Sequence, residues 1–207
     1  KDDVLTKLHD LIEYHDAPIA TITYYIQSLI TAAVHEDGYR VAFSGTSADE
    51  LFTGYYDHFL LHLNEVRLEK TYEENLHYWQ KNIEGHIRNP VLKNPNLYVN
   101  DPNARDHIFD ASKELQEYLL PSFEEAFVEE SFCDNLLRNR TSNELLHEVI
   151  PVILHEEDLN SMYYSVENRS PYLDSNLQKF AYSIPPRHLI REGYGKFILR
   201  EALKGIL

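Results

Sequence analysis

Cysteine is nearly missing from this sequence: Cys133 is the only one in 207 residues. One thiol cannot close an intrachain disulfide, and it excludes a metal centre built on several thiolates. A reducing, cytoplasmic setting is the expectation. Also missing are any apolar run near the about 20 residues that a membrane-spanning helix needs, and any signal-peptide pattern at the N-terminus. No membrane partner is expected. Without secretion, the sequons Asn139-Arg140-Thr141 and Asn168-Arg169-Ser170 read as chance matches. Positive charge is scarce, with 19 Lys and Arg against 34 Asp and Glu and a formal charge of −15. That field repels nucleic acid and anionic lipid, which excludes a general binding surface for either. A polyanionic substrate needs a metal ion or a few well-placed cations to offset it.

What is present is ordinary for a globular chain: 43% apolar and 26% charged residues. The length suits one sizeable core, or one domain plus part of another. The chain opens at Lys1 and stops within a helical pattern, so it reads as a fragment. Val4, Leu5, Leu8, Leu11 and Ile12 recur at the spacing of one helical face, and Asp16-Ala17-Pro18 ends it. A second helical pattern runs from Thr21 to about Val34 and closes at Asp37-Gly38. Val41-Ala42-Phe43 reads as a short buried strand, and Leu51 to Leu68 as a helix. This order predicts a helix-rich α/β fold with parallel strands. Residues 70–87 are helical and charged. Residues 89–103, with three prolines and several asparagines, are expected to form a loop excursion. Helical patterning resumes near Asp110, with Pro121 as a break, and returns at 142–165 and 173–183.

Residues 41–58, "VAFSGTSADELFTGYYDH", set small residues between a strand and a helix, with Asp49 and Glu50 directly behind. Open α/β sheets bind ligands at such strand-to-helix loops. Ser44 and Gly45 let backbone N–H groups approach an anion, and Asp49 suits Mg²⁺ held between a carboxylate and phosphate oxygens. Helix capping accounts for the same residue types, and both readings stand on this stretch alone. His58 and His62 have the spacing of a shared metal site, with no third ligand evident and a solvated helix face as the plainer reading.

Two further stretches narrow the choice. "HEEDLNSMYYSVENRSPYLD" covers residues 155–174. "GYGKFILREAL" covers residues 193–203. With "SGTSADELFTGY" they resemble, in order and spacing, the synthetase domain of glutamine-dependent asparagine synthetases. The matching positions are Ser44, Gly45, Ala48, Asp49, Glu50, Leu51, Phe52, Gly54 and Tyr55; then Ser161, Met162, Glu167, Arg169, Pro171, Leu173 and Asp174; then Gly193, Lys196, Leu199 and Arg200. The likeness runs from about residue 14 to the end and is weakest between 70 and 140.

The resemblance implies part of a pyrophosphate-loop ATP-binding domain, similar to the adenine nucleotide alpha hydrolases. ATP would adenylate a small-molecule carboxylate, and glutamine-derived ammonia would then form the amide. It implies that Ser44 and Gly45 lie against the nucleotide, that Asp49 helps to hold Mg²⁺, and that Lys196 is catalytic, stabilising the developing negative charge. Homo-oligomers are compatible with the family. Glu167 and Arg169 are expected as a buried ion pair or hydrogen-bonded turn, and Asp174 as a helix cap. Thr46 stands where the family often has an acid, and a threonine hydroxyl is no general base near neutral pH. Glu50 or another carboxylate is the candidate to replace it. Tyr172 replaces a phenylalanine, and Asp158-Leu159 replaces Asp-Arg. The Gly-rich Ser-Gly-Gly-x-Asp-Ser pyrophosphate loop and the N-terminal glutaminase cysteine occur nowhere in these residues. The alternative is a non-catalytic scaffold or partner-binding homologue.

Overall fold

In the computed structural model of the chain, the described residues are 4–109, 118 and 127–206. The helical patterning expected from Asp110 and the break at Pro121 lie outside them. The chain divides into two compact units: Lys1–Ser47 with Glu144–Gln178, and Ala48–Asn143 with Lys179–Leu207. Among the described residues no helix is long and apolar enough to cross a membrane.

The first unit is helical with a small parallel sheet. Helix α1, Val4–His15, ends where the sequence places its break. Helix α2, Ile22–Glu36, starts at Thr21, whose hydroxyl accepts the Thr23 N–H at 3.2 Å. Both pack on a later helix of the same unit, Ile150–Tyr163. The Asn160 amide of that helix donates to the Tyr24 carbonyl at 3.1 Å. A π-turn, Glu144–Glu148, precedes it, closed by the Val149 N–H on the Glu144 carbonyl at 3.0 Å.

Strand β1, Val41–Phe43, pairs in parallel with strand β2, Glu167–Arg169, in the register Val41↔Glu167, Ala42↔Asn168 and Phe43↔Arg169. The parallel sheet is as expected, but β1 is not buried: Phe43 is 71% exposed. Its only partner among the described residues is the polar strand β2, so its apolar side chains have no covering layer there. The Glu167–Arg169 pair forms at 2.8 Å on the exposed strand, where a buried ion pair or a hydrogen-bonded turn was expected. Two residues apart, the side chains project to the same side of β2. Asp174 does cap, accepting the N–H groups of Asn176 and Leu177 at 2.9 Å each.

In the second unit the expected helix over 51–68 is two helices. Helix α3, Ala48–Phe52, stops at Thr53, and helix α4, Tyr56–Glu65, follows. The interruption is conformational: Thr53 has φ 70°, a left-handed value that a helix cannot contain. Helix α4 is buried from Asp57 through Leu63. A helix covered on all sides is the centre of its unit. Around Phe59, Leu60, Leu61 and Leu63 gather Trp79 from α5 (Tyr72–Asn82), Ile87, Leu137 from α7 (Leu136–Asn143) and Ile190. The stretch 89–103 joins them. It carries a 3-10 turn over Pro90–Lys93 and helix α6, Leu97–Asn100, and gives Leu92 and Tyr98 to the core.

The helix Ile150–Tyr163 is α8, and α9 (Ser175–Ser183) and α10 (Phe197–Leu203) complete the chain. In the second unit the buried guanidinium of Arg138 donates to the carbonyls of Ala181 at 2.7 Å and Ile184 at 2.6 Å. It thereby adds a donor to the Ala181 carbonyl, which also accepts the Ile184 N–H at 3.2 Å, and to the Ile184 carbonyl just past α9. Burial pushes this arginine's pKa down.

Candidate functional site

In the second unit, Asp49 lies in the first turn of α3 and Lys196 is the residue before α10. Their side chains meet at 2.8 Å, Nζ to Oδ1, both about one-third exposed. The backbone holds the two segments together. The Lys196 N–H donates to the Phe52 carbonyl at 3.0 Å, and within the second segment the Arg200 guanidinium donates to the Gly195 carbonyl at 3.0 Å. Lys196 itself has φ 54°, a left-handed conformation that costs a non-glycine residue on the order of 1–3 kcal/mol and persists only where neighbours enforce it.

Two glycines make the approach possible. A Cβ on Gly54 would stand 1.3 Å from Asp49 Oδ1 and 3.2 Å from Lys196 Cε. A Cβ on Gly195 would stand 3.2 Å from the Thr53 carbonyl. Gly54 therefore leaves the space in which the carboxylate and the ammonium meet. Asp49 offers one carboxylate, about one-third exposed, and Lys196 one cation. The carboxylate is the one group of the pair that could ligate Mg²⁺ beside phosphate oxygens and water, whereas the ammonium has no lone pair for a metal and suits a phosphate oxygen.

Glu50, one residue on, faces the other way. It is 1% exposed and accepts the Tyr55 hydroxyl at 2.5 Å. His58 and His62 are buried rather than solvated, and His58 Nδ1 accepts the Gly54 N–H at 3.2 Å. Cys133 is exposed. Asp57 sits among His58, His107 and Arg140. Burial pushes its carboxyl up, but these neighbours outweigh it and hold it well below the usual carboxylate range.

The first unit assembles a separate polar cluster after β1. Ser170 and Ser44 hydroxyls lie 2.9 Å apart, and Ser44 donates to the Thr46 hydroxyl at 2.9 Å. Thr46 donates in turn to Glu157, 2.9 Å from one carboxylate oxygen and 3.0 Å from the other. The Asn168 amide donates to the same carboxylate at 2.9 Å. Hydroxyl donors thus run in one direction from Ser170 to a carboxylate only 8% exposed. Gly45 stands beside this chain, exposed, with open space where a side chain would be. Glu157 was not singled out as a site residue from sequence. The signal was the acid pair Glu156-Glu157 on α8, which reads equally as a solvated face.

The structure thus brings Asp49 to Lys196 and Ser44 to Thr46, Ser170 and Glu157, while Glu50 turns into the protein. Compared with known families, residues 1–207 match the family described as asparagine synthase. No curated protein and no solved structure matches the chain.

Proposed function

The chain belongs to the asparagine synthase family, and from that premise we propose that it serves an ATP-dependent, amide-forming ligase. A small-molecule carboxylate is adenylated on ATP, and glutamine-derived ammonia attacks the activated carbon. The observation that carries this reading is the Asp49–Lys196 pair, held by Gly54 and Gly195 at the junction of two motifs far apart in sequence. In this reading the chain contributes to a pyrophosphate-loop ATP-binding fold.

When bound, Mg²⁺ supplies charge neutralisation on the departing pyrophosphate. Asp49 holds the ion, and Lys196 places a cation where the phosphate oxygens or the activated acyl oxygen gain negative charge. Ser44 and Gly45 line the nucleotide. Glu157 takes the part of the acid that Thr46 lacks. Its carboxylate lies against the Thr46 hydroxyl and accepts a proton from the attacking nitrogen, directly or through that hydroxyl. This supports catalysis over the scaffold alternative, because the acid missing from the loop is replaced from α8. A Gly-rich pyrophosphate loop does not occur within these 207 residues. In this reading the rest of the nucleotide cradle is supplied by residues other than these.

The test is pyrophosphate release with ATP-Mg²⁺, glutamine and a panel of carboxylates. Release with at least one carboxylate, lost in Lys196→Met, is the expected result. Release with none of them, or release untouched by Lys196→Met, overturns the proposal.

A further inference from the structure

Lys196 brings its ammonium to Asp49 from a left-handed backbone, φ 54° and ψ 31°. A lysine freed of constraint leaves that region for right-handed or extended conformations, which its Cβ favours. Rotation about its backbone bonds re-aims the side chain. The contact at 2.8 Å therefore stands only while the peptides on either side of Lys196 are held.

Each of those peptides is pinned at both edges. In the Gly195–Lys196 peptide, the N–H donates to the Phe52 carbonyl at 3.0 Å and the carbonyl accepts Arg200 Nε–H at 3.0 Å. In the Lys196–Phe197 peptide, the N–H donates to the Leu189 carbonyl at 2.9 Å and the carbonyl accepts the Arg200 backbone N–H at 2.9 Å. Arg200 thus grips both sides of Lys196, one with its side chain and one with its backbone. Only the bond to the Gly195 carbonyl depends on the identity of a side chain. It is also the bond at the softest point. Glycine is free to turn its following peptide over, and a bond from a charged donor is of the same order as the cost of the left-handed backbone.

We infer that Arg200 is a positioning residue. Its Nε–H holds the Gly195 carbonyl, and through that peptide it keeps Lys196 in the conformer that meets Asp49. The role needs an N–H at the Nε position and not a positive charge. Arg200 is one of the positions that match the asparagine synthetases in sequence, and the reaction above gives it no part. Its bearing on rate rests on the part proposed above for Lys196, whereas its bearing on the contact does not.

Glutamine carries its side-chain N–H as many bonds from Cα as arginine carries Nε–H, whereas lysine has a methylene there and methionine a methyl group. Arg200→Gln therefore keeps the donor without the charge, Arg200→Lys the charge without the donor, and Arg200→Met neither. The position is exposed, so all three variants are expected to fold, which circular dichroism and melting temperature check. Crystal structures of the variants are expected to show Lys196 on Asp49 in Arg200→Gln. In Arg200→Met and Arg200→Lys the Gly195–Lys196 peptide is turned and the contact is open. The kcat for pyrophosphate release stays within about twofold of the parent in Arg200→Gln and falls about 10- to 100-fold in the other two, with melting temperatures alike. An Asp49–Lys196 contact unchanged in Arg200→Met overturns the inference. So does a rate kept by Arg200→Lys and lost in Arg200→Gln, which marks a role for the charge. If the parent releases no pyrophosphate with any carboxylate, the ligase reading fails, and the crystal structures decide the role of Arg200 by the same criterion.

Discussion

The Thr46 hydroxyl rests on the Glu157 carboxylate, 2.9 Å from one oxygen and 3.0 Å from the other. One proton is shared between two acceptors, and the Asn168 amide also donates to that carboxylate. In the proposed reaction, a threonine in the loop and a glutamate on α8 together do the work of a single acidic side chain. Glu157→Gln keeps the shape but cannot take up a proton. For the ligase reaction proposed above it is expected to lower kcat about 100-fold or more. Thr46→Val removes a charge-assisted hydrogen bond and is expected to lower stability by about 2 kcal/mol. Steady-state kinetics and urea unfolding of the two variants separate the effects. Equal kcat for Glu157→Gln and the parent removes Glu157 from the reaction.

Gly54→Ala places a methyl group on the Asp49 carboxylate, 1.3 Å from Oδ1, so the carboxylate must leave. The expected outcome is loss of the Asp49–Lys196 contact, a stability cost of about 1–3 kcal/mol from overpacking, and loss of pyrophosphate release. A crystal structure of the variant checks the displacement. An Asp49 still seated on Lys196 contradicts it.

Lys196→Met is expected to separate activity from stability. The pair it breaks is partly solvated, so its contribution to folding is at most about 1 kcal/mol. Removing a positioned cation from a developing anion lowers kcat about 100- to 1000-fold. A melting temperature close to the parent's, with activity lost, is the expected combination. Lys196→Arg keeps the charge but cannot occupy the space beside Gly54 in the same way, and recovers only part of the rate.

Acid weakens the second unit through His62 before carboxylates become involved. The unfolded imidazole titrates near 6.5 and the folded one at about 4. Between these values the unfolded chain binds a proton that the folded chain does not, so stability falls as pH drops through that window. The span corresponds to roughly 3 kcal/mol. Urea midpoints measured from pH 7 to pH 4 should decline, and His62→Gln should flatten the decline.

Asp57 acts in the same direction at lower pH. Its folded carboxyl stays ionised in acid that protonates the unfolded one. The stability it contributes is complete above the ordinary carboxylate value and is lost as pH falls toward the folded value. Asp57→Asn removes the charge facing Arg140 and His107, each 3.4 Å away, and is expected to cost about 3 kcal/mol at pH 7. Chemical denaturation at pH 7 and pH 3 should show the variant's deficit shrinking in acid.

Much of the scaffold could be read from residue order. Thr21 announced the start of α2 and Asp174 that of α9, because capping uses local chemistry that a sequence displays directly. The resemblance named Asp49 and Lys196 from motifs far apart in sequence, but their direct contact was not legible there. Strand β2 escaped notice because Glu167-Asn168-Arg169 has no apolar alternation, its pairing being made by backbone with β1. The break in the helix after Phe52 escaped because nothing in a threonine signals a left-handed backbone. Glu157 escaped because an acid on a helix looks the same in sequence whether it meets water or a hydroxyl from a distant loop.

Trp79 is the only tryptophan, and it is buried in the core of the second unit. Its fluorescence therefore reports the melting of that unit alone, while far-ultraviolet circular dichroism sums the helices of both. Superimposable unfolding curves from the two signals would mean that the units unfold as one cooperative body. Separated curves would measure the second unit's stability on its own, without a label or a dissected chain.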